Sequence, residues 1–147
     1  MAAPGQALPL GTGSGDERFL AGGWGVPEPD GRWTVGGRSS IFLYVAGPRS
    51  LLDLELHGFT FLGSAIRPPR VRLLGNGRRL GALRFADSSK GARSLHVALP
   101  ADTAGPHGEL LLTFLLSGTR SPLEQGISED TRRLGLFLTR LALRRRA

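Results

Sequence analysis

Three observations predict an all-β chain folded as a two-sheet antiparallel sandwich. Short runs of apolar residues alternate with polar ones, the period of two of a strand with one wet face. Gly, Pro, Asn and Asp punctuate these runs at spacings of roughly 8–12 residues, the rhythm of a sandwich or barrel. No segment carries a convincing apolar period of 3.6.

The elements follow in order. Ser40–Val45 places Ile41, Leu43 and Val45 on one side. Leu52, Leu54 and Leu56 face one way, and Asp53, Glu55 and His57 the other. Phe59 and Phe61 continue with the opposite parity, so a bulge is expected at Gly58. Arg70–Leu74 and Leu80–Phe85 flank Asn76-Gly77, a pair that tolerates the positive φ angles of a type I′ hairpin turn. Leu95, Val97 and Leu99 alternate up to Pro100. Glu109–Leu116 is more continuously apolar, as in a strand near the centre of a sandwich. Leu134–Leu143 is the last strand. The total is about seven to nine strands. A short helical turn is expected at Ser128–Arg133, capped by Ser128 with Glu129 and Asp130 at its positive end.

The 147 residues suit one domain. Residues 1–15, rich in Ala, Pro, Gly and Ser, read as a flexible lead-in, and 16–147 as the sandwich domain. There is no Cys, which excludes disulfides and Cys-ligated zinc. The net charge of +7 rests almost wholly on Arg, since Lys90 is the only lysine. Such a balance fits a nucleic-acid or membrane-surface partner. The simpler reading, preferred here, is a GC-rich genome, which favours Arg, Ala, Gly and Pro codons together. No stretch reaches the ~18 apolar residues of a membrane-spanning helix. Met1–Gly15 has neither the basic nor the apolar region of a secretory signal. With the lack of cysteine, this places the expectation in the cytoplasm.

The most unusual segment is Gly22–Gly37, which holds both tryptophans, Trp24 and Trp33, around Pro27, Glu28, Pro29 and Asp30. Indole rings stack on sugar C–H faces, and a carboxylate accepts from vicinal hydroxyls, so the segment has the ingredients of a sugar site. The structural reading is a plug at the end of the sandwich, with Glu28 bonded to loop N–H groups. A second segment, Ser117–Gly135, carries Arg120, Glu124, Asp130, Arg132 and Arg133 between two strands. It reads as a long connection pinned by ion pairs, at least one partly buried. In the functional alternative, Glu28, Asp130 and Arg132 meet in a polar ligand pocket.

No catalytic constellation is visible. His57, His96 and His107 sit apart without metal-ligand spacing. There is no nucleophile elbow, P-loop or dinucleotide fingerprint. Neither Asp87–Lys90 nor Asp102–His107 has the density of a calcium loop. No metal or other cofactor is expected. Basic residues are scattered, although Arg67, Arg70, Arg72, Arg78, Arg79 and Arg84 fall around the Asn76 hairpin. Aromatics suited to base stacking are few, and a nucleic-acid partner is not expected.

As a set, several motifs carry a resemblance. They are Trp24, Pro27-Glu28 and Gly31-Arg32-Trp33-Thr34, the hairpin at Leu74–Gly77, Ser121-Pro122, and the run Ser128–Gly135. Over roughly Phe19–Leu143 the chain resembles β-sandwich accessory domains of bacterial cell-surface polysaccharide synthesis proteins, often found beside glycosyltransferase domains. The resemblance implies a jelly-roll-like, non-catalytic module that binds carbohydrate or serves a glycosyltransferase partner. It carries over Trp24, Glu28, Trp33, Asp130 and Arg132 as motif positions. The alternatives are a protein–protein assembly module with no small ligand and, third, a glycan-active enzyme using Glu28 and a second carboxylate.

Overall fold

A computed structural model describes residues 7–63, 67–87 and 91–146. Ten strands are present among them: β1 (Ala7–Pro9), β2 (Leu20–Gly22), β3 (Arg32–Val35), β4 (Arg38–Tyr44), β5 (Leu52–Thr60), β6 (Arg70–Gly75), β7 (Arg78–Leu83), β8 (Arg93–Leu99), β9 (Glu109–Ser117) and β10 (Leu134–Arg145). A single 3-10 turn, Asp16–Arg18, precedes β2. The strands form two antiparallel sheets. The first runs β1-β10-β5-β8, with β3 on the same side of β10 as β1 and paired to the far half of that strand. The second runs β2-β4-β9-β6-β7. This is the two-sheet antiparallel β-sandwich expected from the alternation, jelly-roll-like as the resemblance implies, with ten strands where about seven to nine were expected because short strands such as β1 and β2 join the sheets; β9, the most apolar strand, is central in its sheet.

Each sheet turns one face inward. Leu52, Leu54 and Leu56 of β5 meet Leu136, Leu138, Leu141 and Leu143 of β10 in the first inner face. Ile41 and Leu43, Val71 and Leu73, and Leu110, Leu112 and Phe114 supply the second. Fully burying side chains of this size contributes roughly 1.5–3 kcal/mol each, which is what fixes the register. The hairpin between β6 and β7 turns at Asn76 (φ 49°) and Gly77 (φ 80°), as Asn-Gly requires. Asn76 also does something its turn propensity does not announce. Its amide donates to the carbonyls of Thr103 (2.8 Å) and Glu109 (2.9 Å) and accepts from the Leu111 N–H (2.7 Å), tying the turn to β9.

Three sequence expectations differ from the structure. β5 keeps its alternation through Gly58, with Leu56, Gly58 and Thr60 all facing inward. The register shift lies on the partner strand: Leu138 pairs with Gly58 and Arg140 with His57, so Thr139 is the extra residue. Gly58 is needed for close approach, because a Cβ there would collide with the Phe137 carbonyl. Phe59 therefore shares the outer face with Asp53, Glu55 and His57. Second, Ser128–Arg133 forms no helical turn. The Ser128 hydroxyl accepts from the Asp130 N–H (3.3 Å) in a local turn, a competing use of the same side chain. Third, part of the expected lead-in is structured: Ala7–Pro9 pairs with β10, and Leu10 is 3% exposed. Leu10 joins the core and Leu8 packs against it.

The sheet edges are blunted. β7 carries Arg78 and Arg79 and a register shift opposite Leu73–Leu74. β8 presents Arg93, Ser94 and His96. Charges and irregularities of this kind discourage strand addition.

Candidate functional site

The Gly22–Gly37 segment is ordered from beneath by a buried ion pair. Asp16 is 0% exposed and Arg32 is 8% exposed. The guanidinium meets both carboxylate oxygens, at 2.7 and 3.0 Å, and donates to the Gly25 carbonyl at 2.9 Å. Asp16 also accepts from the Gly11 N–H at 3.1 Å. Burial pushes the Asp16 carboxyl up, but the bonds from Arg32, Gly11 and Ser14 outweigh it and leave the group below the usual carboxylate range. The sequence offered no signal for this pair, whose members lie sixteen residues apart in irregular surroundings.

The two tryptophans part company. Trp24 turns inward: its indole N–H donates to the Ser40 carbonyl (2.8 Å), and its ring meets Phe114 edge-on at 6.1 Å. Trp33, on β3, turns to the outer face of the first sheet. There it meets Phe59, Phe61 and Phe137 at 5.7, 5.6 and 5.0 Å, all at steep angles. Strand pairing makes this cluster, since Trp33 lies opposite Phe137 and Phe137 opposite Phe59. The rings therefore do not form a matched pair around Glu28.

Two of the polar candidates pair directly. Arg132 and Asp130 pair at 2.7 Å, with a second contact at 3.0 Å. That bond from Arg132, joined by the Arg132 backbone N–H, lowers the Asp130 carboxyl. Hydrogen bonding to Asp130 raises Arg132, and the nearby negative charge of Glu28 adds to it. The Arg132 guanidinium lies against Gly25, beside Val35: a Cβ at Gly25 would be 2.9 Å from it. Glu28 spends its backbone on a tight turn, exchanging hydrogen bonds with Gly31 at 2.9 and 3.3 Å. Asp130 and Arg132 thus form one pair beside Gly25, while the Trp24 ring packs on Phe114 and the Trp33 ring on Phe59, Phe61 and Phe137. The rest of the connection is pinned as the sequence expects. Glu124 accepts from the Ser121 N–H and hydroxyl, which lowers its carboxyl, and Arg133 reaches it at 3.2 Å.

Sequence reasoning missed a second aromatic surface. Phe42 and Tyr44, 36% and 48% exposed, stand on the outer face of β4 and meet at 5.1 Å in a T-shape. With Phe19 and Arg18 they line a hollow of 210 Å³, the guanidinium lying 5.4 Å over the Phe19 ring. The signal was present: an alternation that sends Ile41 and Leu43 inward sends Phe42 and Tyr44 outward. An aromatic pair left open on a wet face can stack on a flat ligand without displacing core packing.

Among the described residues no three His, Asp or Glu side chains converge as a metal-holding group. Asp102, in one of the two loops considered for calcium, is engaged by Arg78 at 2.7 Å, which lowers its carboxyl. The other loop, Asp87–Lys90, falls largely outside the described residues. No helix among them is long and apolar enough to cross a membrane.

No family model matches the chain, and no curated protein matches it. Solved structures do. The CBM36-1 domain of a multidomain xylanase from the hindgut metagenome of Trinervitermes trinervoides aligns over 97% of this chain and 99% of its own, at 14% identity and TM-score 0.53. The carbohydrate-binding module CBM36 in complex with calcium and xylotriose aligns over 94% and 98%, at 15% identity and TM-score 0.50. Dimeric latent PorU from Porphyromonas gingivalis aligns over 94% of this chain and 12% of its own, at 13% identity and TM-score 0.53. At these identities the likeness is one of fold: the sandwich of carbohydrate-binding modules, seen here over nearly the whole chain.

Proposed function

We propose that this domain is a non-catalytic carbohydrate-binding module that works beside an enzyme of bacterial glycan synthesis, with a glycosyltransferase as its partner and the cytoplasm as its compartment. The observation that carries the carbohydrate reading is the open Phe42–Tyr44 pair on a sheet face, beside Arg18. Aromatic faces bind sugar C–H surfaces, and a guanidinium donates to ring hydroxyls. Two of the three neighbours described above are carbohydrate-binding modules by name, which supports the reading. The Trp33 end, with Glu28, Asp130 and Arg132, is proposed as a second contact, since Gly25 links its parts: the Gly25 N–H donates to the Trp33 carbonyl, and the Arg132 guanidinium lies against Gly25. The glycosyltransferase context rests on the sequence resemblance.

The test is a glycan array probed with the purified domain, followed by titration of any hit. Tyr44→Ala and Phe42→Ala should weaken binding about tenfold while leaving the melting temperature within a few degrees, as for exposed side chains. A hit that survives both substitutions and falls with Trp33→Ala moves the site to the first sheet. Hydrolysis of a bound glycan removes the non-catalytic reading.

A second reading, an assembly module, is favoured by Val26, Leu123 and Ile127, which are 70%, 50% and 53% exposed on the loops. Light scattering separates it: a monomer at all concentrations, alone and with candidate enzymes, counts against assembly.

A further inference from the structure

At the opposite edge of the second sheet from Phe42 and Tyr44, the surface changes character. A groove of 630 Å³ runs along β6 and β7, with Arg67, Arg70, Arg72 and Arg84 on its walls and Pro68 and Phe85 among its apolar lining. It adjoins a hollow of 270 Å³ that shares Arg67, Pro68 and Arg70 and adds Arg120. No carboxylate lines either one. Arg67, Arg70, Arg72 and Arg84 take part in no ion pair among the described residues, whereas Arg78, on the same hairpin, is held by Asp102.

The register extends the pattern onto the outer face. Arg38 and Arg72 flank Leu115 from the two neighbouring strands, and Arg70 lies opposite Ser117. Arg70 and Arg72, two residues apart on one face, stand roughly 6.8 Å apart along the strand. Uncompensated guanidiniums at this density repel one another, and each retains a planar fork of donors shaped for an oxyanion. A ligand carrying a row of negative charges removes the repulsion and fills the forks.

We propose that this groove binds an anionic polysaccharide, one bearing carboxylate or sulfate groups along its chain. The lining argues against nucleic acid. Phe85, the aromatic residue of the groove wall, is 9% exposed and packs in the core, so bases find no stacking surface there. A groove also admits a single chain rather than the plane of a bilayer. The site is independent of the aromatic hollow: it draws on different residues and a different interaction.

The experiment measures binding to immobilised polygalacturonate, dextran sulfate, unmodified dextran and a 20-residue oligouridylate. Three proteins are compared: the wild type, Arg70→Gln/Arg72→Gln, and Arg140→Gln/Arg144→Gln, which makes the same charge change on the other sheet. The wild type should bind one or both anionic polysaccharides and not dextran, the pattern between them identifying carboxylate or sulfate as the anion. Arg70→Gln/Arg72→Gln should weaken that binding by about tenfold or more, and Arg140→Gln/Arg144→Gln by less than about twofold. Circular dichroism confirms that both variants are folded. Three results overturn the proposal: neither anionic polysaccharide binds, both double variants weaken binding equally, or the oligouridylate binds as tightly as the polysaccharides. Neutral glycan binding that depends on Tyr44, without anionic binding, leaves the Phe42–Tyr44 site standing and removes this one; anionic binding that depends on Arg70 and Arg72, without neutral binding, supports this groove and removes the Phe42–Tyr44 site.

Discussion

The outer faces of the two sheets handle charge and aromatic surface in opposite ways. On the first sheet, Glu55 takes Arg140 at 2.8 Å and lies 3.8 Å from Arg144, and Asp53 takes His96 at 3.0 Å. Its rings are closed on themselves, with Phe59 and Phe137 stacked at 5.2 Å and Trp33 set edgewise to both. On the second sheet, Phe42 and Tyr44 stand open and the arginines of β6 lack carboxylates. A face whose charges and rings are largely paired has less left to offer a ligand; one that leaves donors and rings unused presents more. The net positive charge is therefore informative only once it is placed, because the first sheet neutralises much of its share.

The largest expected effect falls on neither face but on the ion pair beneath the segment that joins them. Asp16→Ala leaves the Arg32 guanidinium buried without its partner and should cost about 3–5 kcal/mol in urea denaturation. The pH dependence has a definite sign. The folded Asp16 carboxyl lies below its ordinary value of 3.8, so its contribution is present above that pH and is lost as pH falls through the lowered value. The wild-type urea midpoint should drop below pH 3.8, and that of Asp16→Ala should drop less.

Asn76→Gly comes next. Glycine keeps the positive φ, so the substitution isolates the three side-chain hydrogen bonds that tie the turn to Thr103 and to β9. A loss of about 1–3 kcal/mol is expected, and an unchanged midpoint would show that only the turn conformation matters. On the first outer face, Glu55→Gln should change stability by only about 0–1 kcal/mol, since its partners are exposed arginines. A larger loss would show that the charge ladder holds the sheet together, which would blur the contrast between the faces.

These magnitudes bear on what the sequence could disclose. Strands and the Asn76-Gly77 hairpin were legible because alternation and turn chemistry are local. The Asp130–Arg132 pair was legible in outline, since acidic and basic residues two apart in one connection invite an ion pair. The separation of Trp24 from Trp33 was not legible, because the segment is irregular and its parity cannot be counted. Phe59 misled for a subtler reason. The change from Leu56 to Phe59 looked like a shift in strand parity, but it was a change in what the outer face carries. Asp16 and Arg32 left no trace, for a buried ion pair between a 3-10 turn and the first residue of a short strand has no period. The Phe42–Tyr44 pair was legible and overlooked, because attention to inward positions hides what the outward ones present.

The most direct test of the central claim is the affinity of the wild type and of Phe42→Ala/Tyr44→Ala for the tightest glycan found on the array. The account predicts measurable binding by the wild type and about a tenfold or greater loss in the double variant, with both proteins equally stable. No glycan bound by the wild type, or equal binding by the two proteins, would contradict it.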